Sequence, residues 1–269
     1  MTTRSTSVQR RSVIAVALAA VTVSVAAAAS LFKVTRGGDD EQSPPPMLSS
    51  ASAVPTVTNS RQEHTSPEPY QFDYQPLWPY ASAADAAAAQ RALREGHQPW
   101  RLDAGTVAQM FTRDYLGFAG VDKVVDVVTQ GEHARVSVGF DHPKGAPATA
   151  AVVHLVRFGV GDDAPWEVVG TDDSTLTLTA PSYGSAVRSP LLAGGRISGV
   201  DESLRVQVRQ IDRTRPVGEA PPIPAGGTDT PWTATIPFTA ACPGTLTVVV
   251  STGGHVAEVE RFAITGLHC

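Results

Sequence analysis

Seven histidines stand at positions 64, 97, 133, 142, 154, 255 and 268, and none of their spacings is that of a helical or hairpin metal site. His154 falls inside the apolar run Val152 to Val160, where a buried, hydrogen-bonded structural imidazole is the expected role. Asp162-Asp163 and Asp172-Asp173 pair carboxylates near strand ends, as acid–base work on a sugar or calcium binding would need. Adjacent residues of a strand point to opposite faces, so solvated turns are expected at both places. Arg205, Gln207, Arg209 and Arg213 could make a basic face for an anionic polymer. No aromatic side chain interleaves them, and a solvated sheet face is the expectation. The sequence holds no phosphate-binding loop, HExxH, G-x-S-x-G or C-x-x-C pattern. It therefore predicts no catalytic, cofactor-binding or metal-ligating residue, and no cofactor.

Two cysteines remain, Cys242 and Cys269, and their chemistry depends on compartment. The N-terminus decides that. Met1 to Ser12 carries Arg4, Arg10 and Arg11 and no acid, and Val13 to Phe32 is apolar but for Thr22, Ser24 and Ser30. At 1.5 Å per residue such a run matches a hydrocarbon core of roughly 30 Å. The basic flank before it, with Asp39, Asp40 and Glu41 after it, favours an N-terminus inside the cell. A cleaved signal peptide is the alternative, with Ala26 to Ala29 as small residues for a peptidase. Arg10-Arg11 loosely resembles a twin-arginine export signal. Either way, everything after Arg36 lies outside the cytoplasm. The expectation is a single-pass membrane protein, or a secreted one after cleavage. In that compartment Cys242 and Cys269 are expected to form a disulfide. A net charge of −5 argues against a nucleic-acid partner.

These features divide the chain into a cytoplasmic tail (1–12), an anchor or signal segment (13–32), a Pro/Ser-rich stalk (33–69) and two folded parts. Residues 33–69 have no apolar periodicity and too little apolar surface to offset ordering entropy. Tyr70, Phe72 and Tyr74 alternate, with Trp78 and Tyr80 following, and predict an extended strand docking on the next domain.

From 70 to 181 the pattern is helical, then stranded. Ser82 or Ala81 opens an alanine-rich helix that runs to Glu95 and that Gly96 ends, and Asp103 caps a second running to Leu116. Val107, Phe111 and Tyr115 recur every four residues as its buried stripe. Val124–Thr129, Arg135–Phe140, Val152–Val160 and Trp166–Gly170 read as strands joined by hairpins. Helices before a run of strands predict an α+β domain, helix on antiparallel sheet, which resembles cystatin-like or nuclear-transport-factor-like (NTF-like) folds. From 182 to 269 only short strands appear, at Gly194–Val200, Leu204–Arg209, Thr233–Phe238, Thr245–Ser251 and Val256–Ile264. That is the pattern of an antiparallel β-sandwich.

Val187-Arg188-Ser189-Pro190-Leu191, Gly194-Gly195-Arg196-Ile197-Ser198-Gly199, and Pro231-Trp232 before Ile236-Pro237-Phe238 and Gly244-Thr245-Leu246 carry a resemblance. They resemble the immunoglobulin-like domain associated with bacterial spore-germination (GerMN-type) envelope proteins, over roughly the last third of the chain. The resemblance implies an extracytoplasmic sandwich appended to other envelope domains. It implies no role in germination, because the usual neighbouring domain is not evident. Taken together, the expectation is a non-enzymatic cell-envelope module on a membrane-tethered stalk, its partner an unidentified envelope protein or polymer. The alternative is a ligand-binding or enzymatic α+β domain with its site in the concave face of the sheet.

Overall fold

The computed structural model describes residues 71–199 and 203–269; the apolar segment 13–32, the stalk 33–69 and Tyr70 lie outside them. Among the described residues no helix is long and apolar enough to cross a membrane. Strands dominate and helices are few and short.

The Ser82 hydroxyl accepts a 3.2 Å hydrogen bond from the Asp85 amide and opens α1 (Ala83–Arg94). Gly96, at φ +86°, ends it in a backbone conformation that a Cβ would strain. Asp103 caps α2 (Ala104–Met110) by accepting from the Thr106 amide at 2.6 Å. The chain then widens into a π turn, Phe111–Tyr115, closed by a 2.9 Å bond from the Leu116 amide to the Phe111 carbonyl. One extra residue in a turn rotates the residues beyond it by about 100°. Leu116 therefore takes the buried place, while Tyr115 is half-buried.

Four strands, β1 (Lys123–Gln130), β2 (His133–Phe140), β3 (Ala148–Arg157) and β4 (Trp166–Thr171), form an antiparallel sheet in chain order. Ala134, Val136 and Val138 of β2 and Val153 and Leu155 of β3 point inward, into one core with Val107 and Phe111. Each valine, leucine or phenylalanine among them contributes about 1.5–3 kcal/mol by leaving water. The chain before α1 docks on the free edge of β4. There the Leu77 amide donates to the Val168 carbonyl at 3.1 Å, and the Val168 amide to the Trp78 carbonyl at 2.8 Å. At the other edge, Val124, Val125, Val127 and Val128 of β1 are 38–47% exposed. A bulge between Val124 and Asp126 and the Lys123–Asp141 ion pair at 3.1 Å blunt that edge against stray strand pairing.

The second part pairs β5 (Leu191–Ile197) with β9 (Thr230–Ile236) in one sheet. The facing sheet runs β11 (Arg261–His268), β10 (Thr245–Thr252), β6 (Ser203–Arg209), β7 (Gly218–Glu219), with β8 (Ile223–Pro224) also on β6. Leu191, Trp232 and Ile236 meet Val206, Val208, Leu246 and Val248 in their shared core. The last strand begins at Arg261 rather than Val256. A loop takes the intervening residues, held by the Val256 amide donating to Glu260 Oε1 at 2.7 Å, and Thr252 pairs with Arg261 across it. The reverse face of β10 and β11 is not solvated: Val249, Phe262 and Ile264 join the first core. Both faces of Val248-Val249-Val250 are thus covered, which explains an unbroken apolar run where alternation would mark a half-buried strand.

Candidate functional site

Strand register assembles the densest chemistry on the outer face of the first sheet. Because Ala134 and Val136, and Val153 and Leu155, point inward, His133, Arg135 and His154 point outward. Arg135 lies opposite His154, and His133 opposite Val156, so the two imidazoles meet diagonally. His133 Nδ1 is 3.0 Å from His154 Nε2, with the rings stacked at 5.3 Å. One nitrogen donates and the other accepts, so at least one ring is neutral. Burial first, then the charge of Arg135 and the neighbouring His133, pull His154 down to about 4. Arg135 Nε–H donates to Asp172 at 2.8 Å, tying the cation to a carboxylate. Tyr74 stands edge-on to both imidazoles, 5.9 and 5.7 Å between centroids.

Beside this cluster a cleft of about 440 Å³ opens where the first sheet meets β11 and the chain entering the second part. Tyr74, His154 and Asp173 line it from one side; Thr179, Tyr183 and Thr265 line it from the other. Tyr183 is fixed in place: its Oη accepts from the Gln75 amide at 2.8 Å. Thr171 Oγ1, also in the wall, accepts from the Ile264 amide at 2.9 Å and so clamps the two parts together. The volume falls within the roughly 300–1,000 Å³ of small-molecule sites.

A second titratable group sits apart, wholly buried. Glu167 on β4 accepts a 3.1 Å hydrogen bond from the Tyr80 amide, while its other oxygen, Oε1, has no hydrogen-bond partner. Burial raises its pKa well above the ordinary carboxylate range; the amides of Tyr80, Trp78 and Leu77 and the charge of Arg101 oppose that only in part. Arg101 lies 4.9 Å from the Tyr80 ring. A carboxyl whose folded pKa is raised holds its proton in the native state longer than in the unfolded one. Its contribution is therefore complete below the unfolded value, about 4.3, and is lost as pH climbs toward the folded value. His154 has the opposite sign, because a depressed histidine pKa costs stability as pH falls from about 6.5 toward the folded value of about 4. The two slopes oppose each other, so the Glu167 contribution is read by difference. Glu167→Gln is expected to remove the loss of stability that accompanies rising pH above the unfolded carboxyl value of about 4.3, measured by urea denaturation of both proteins across pH.

The other residues singled out in the sequence are spread apart. Asp163 accepts from Arg94 and from Gln90 Nε2, the latter at 2.8 Å, and so fastens α1 to the turn before β4. Asp162 is exposed. Arg209 leaves the solvated sheet face expected of it. It is buried, and Nη2 donates to the Tyr115 carbonyl at 2.6 Å, because a residue at the end of β6 reaches the first core. Arg213 pairs with Asp212 at 3.5 Å, and Arg205 approaches Glu258 at 4.0 Å. Cys242 and Cys269 form a disulfide, Cα to Cα 5.5 Å. Among the described residues no three His, Cys, Asp or Glu side chains gather as a metal site. Sequence reasoning missed His133, Tyr74 and Tyr183 as neighbours of His154. The inward alternation of β2 and β3 already put both histidines on one face; only the strand register could bring them together. No known protein family, curated protein or solved structure matches the chain.

Proposed function

We propose that the chain is a non-enzymatic, extracytoplasmic binding or assembly module, held off the membrane by the stalk and tethered through residues 13–32. Its second part is read as an immunoglobulin-like sandwich and its first as a helix-on-sheet domain of the cystatin or NTF-like kind. The observation that carries the reading is the Cys242–Cys269 disulfide, which fits an oxidising compartment and agrees with the apolar N-terminal run. Strand order supports the sandwich. Leu176 and Ala180 bridge to Ile197 and Gly194, so the chain enters antiparallel to β5, and Ala186 then bridges parallel to His268 of β11. The first crossing is close: a Cβ on Gly195 would fall 2.0 Å from the Thr177 carbonyl oxygen. A first strand shared between two sheets, with β11-β10-β6-β7 facing β5-β9, is an immunoglobulin-like arrangement.

A ligand site in the concave, helix-covered face of the first sheet would need an open cavity. Phe111, Val136, Val153, Leu155 and Trp166 fill that face. The accessible cleft opens on the other face, with no nucleophile–base pair in its wall. Fractionation tests the reading. The chain is expected with membranes, and protease added outside intact cells is expected to remove the folded region. Recovery in the cytoplasmic soluble fraction would sink it; a soluble exported form starting near Ser30 would replace the anchor with a cleaved signal.

A further inference from the structure

We infer that the cleft between the first sheet and β11 binds an uncharged carbohydrate, a sugar segment of an envelope polysaccharide. The inference rests on the binding-module reading and names the ligand class of that module.

The composition of the wall selects the ligand. Asp173 is exposed at the rim, and no lysine or arginine lines the cleft, so a phosphate or carboxylate ligand would meet only repulsion. Arg135, which lies opposite His154 on that face, is committed to Asp172. His154 adds no positive charge at physiological pH, since burial and Arg135 hold it neutral. A lipid chain is equally ill-matched, because Leu178, Val169 and Ile264 are separated along the wall by threonines and by Gly170. One carboxylate without companions cannot supply the six to eight oxygens that calcium takes.

What the cleft does offer is two tyrosine rings and a spread of short polar side chains. Tyr74 and Tyr183 provide flat apolar surface, the latter 44% exposed. Asp173 accepts strong hydrogen bonds from hydroxyls, Thr179 and Thr265 can both donate and accept, and His154, with Nε2 engaged by His133, offers its Nδ1. A sugar ring presents the matching pattern, C–H groups on its faces and hydroxyls around its rim. Because Tyr74 is wedged against the histidine pair and Tyr183 is tied to Gln75, these rings are held before a ligand arrives. Preorganised rings lose little entropy on binding.

The test is calorimetric titration of the full chain in lipid nanodiscs with cellohexaose, maltohexaose and N-acetylchitohexaose, and with oligogalacturonate as the anionic counterpart. Saturable binding of at least one neutral sugar is expected, with oligogalacturonate weaker than any of them. Asp173→Ala and Tyr74→Ala should each weaken binding about tenfold, the size of one charge-assisted hydrogen bond or one stacked ring. Tyr74→Phe should retain most of it. Asp173 is exposed, so its variant keeps its melting temperature and its loss reports on the cleft. No heat from any neutral sugar at millimolar concentration would overturn the inference. So would binding that both alanine variants leave unchanged, or a preference for oligogalacturonate. An exported chain that binds no sugar fails this inference alone; a cytoplasmic chain that binds one fails the compartment reading alone.

Discussion

Phe111→Ala is expected to lower the unfolding free energy by about 3–5 kcal/mol, the range for deleting a fully buried ring. The ring is completely inaccessible and stands between the helix and the sheet. It packs against Tyr115 at 5.5 Å and Trp78 at 6.1 Å between centroids, so its removal loosens the docked entry segment as well as α2. Collapse cannot readily refill the space, because Val136, Val153 and Leu155 beneath it are already paired across rigid strands. For a folded region of this size the loss corresponds to a fall in melting temperature of roughly 10 °C. Phe111→Leu should recover much of it. An unchanged melting temperature for the alanine variant would mean that α2 does not cover the sheet.

That prediction follows from the four-residue stripe of α2, and it shows how far local pattern reaches. Caps at Ser82 and Asp103 were legible because a short oxygen-bearing side chain before a helical run has one useful place to go, the free amides of the first turn. The inward face of β2 was legible because alternation and burial are the same fact in a half-covered strand. Sequence alone did not disclose the π turn. The π turn puts Leu116 inside the first core and Tyr115 beside Arg209, a division that only the tertiary packing displays. Nor was the start of β11 readable. Val256 and Val259 look like strand residues, but Thr252 and Arg261 set the hairpin and leave the intervening residues to the loop.

The same distinction governs the candidate site. His154 was visible as a polar residue in an apolar run, while His133, twenty-one positions earlier, looked unrelated. Register decides which outward side chains on adjacent strands meet, and register is fixed by the whole core, not by either strand. Arg209 makes the converse point. Its alternation with Leu204, Val206 and Val208 predicts exposure, but packing of the first part against the end of β6 buries it, while Arg205 earlier on the same side stays exposed. The burial of Arg209 and of the reverse faces of β10 and β11 traces to that one contact between the two parts. The cleft is the gap that this contact leaves open at Tyr74 and Tyr183.

Cys242→Ser is expected to cost about 3.5 kcal/mol, and the reason lies mostly in the unfolded chain. Cys242 is in the turn before β10 and Cys269 ends the sequence just beyond β11, 27 positions later. Closing a loop of that length removes unfolded-chain entropy worth on the order of 3–4 kcal/mol. Native backbone bonds already bring the two ends together: the Cys269 amide donates to the Gly244 carbonyl at 3.0 Å and the Gly244 amide to the Cys269 carbonyl at 3.3 Å. The bridge therefore adds little order that the hairpin lacks, and its effect falls on the denatured ensemble. Because β10 and β11 also back the first core through Val249, Phe262 and Ile264, the loss should appear in the stability of both parts. A melting temperature lower by roughly 7–14 °C is expected for Cys242→Ser. The same shift should follow full reduction of the wild type, and the double variant Cys242→Ser/Cys269→Ser should match the single one. Exported protein alkylated under denaturing, non-reducing conditions should show no free thiol. Two alkylated thiols in that material, or a reduced protein that melts where the oxidised one does, would remove the bridge from the account of stability.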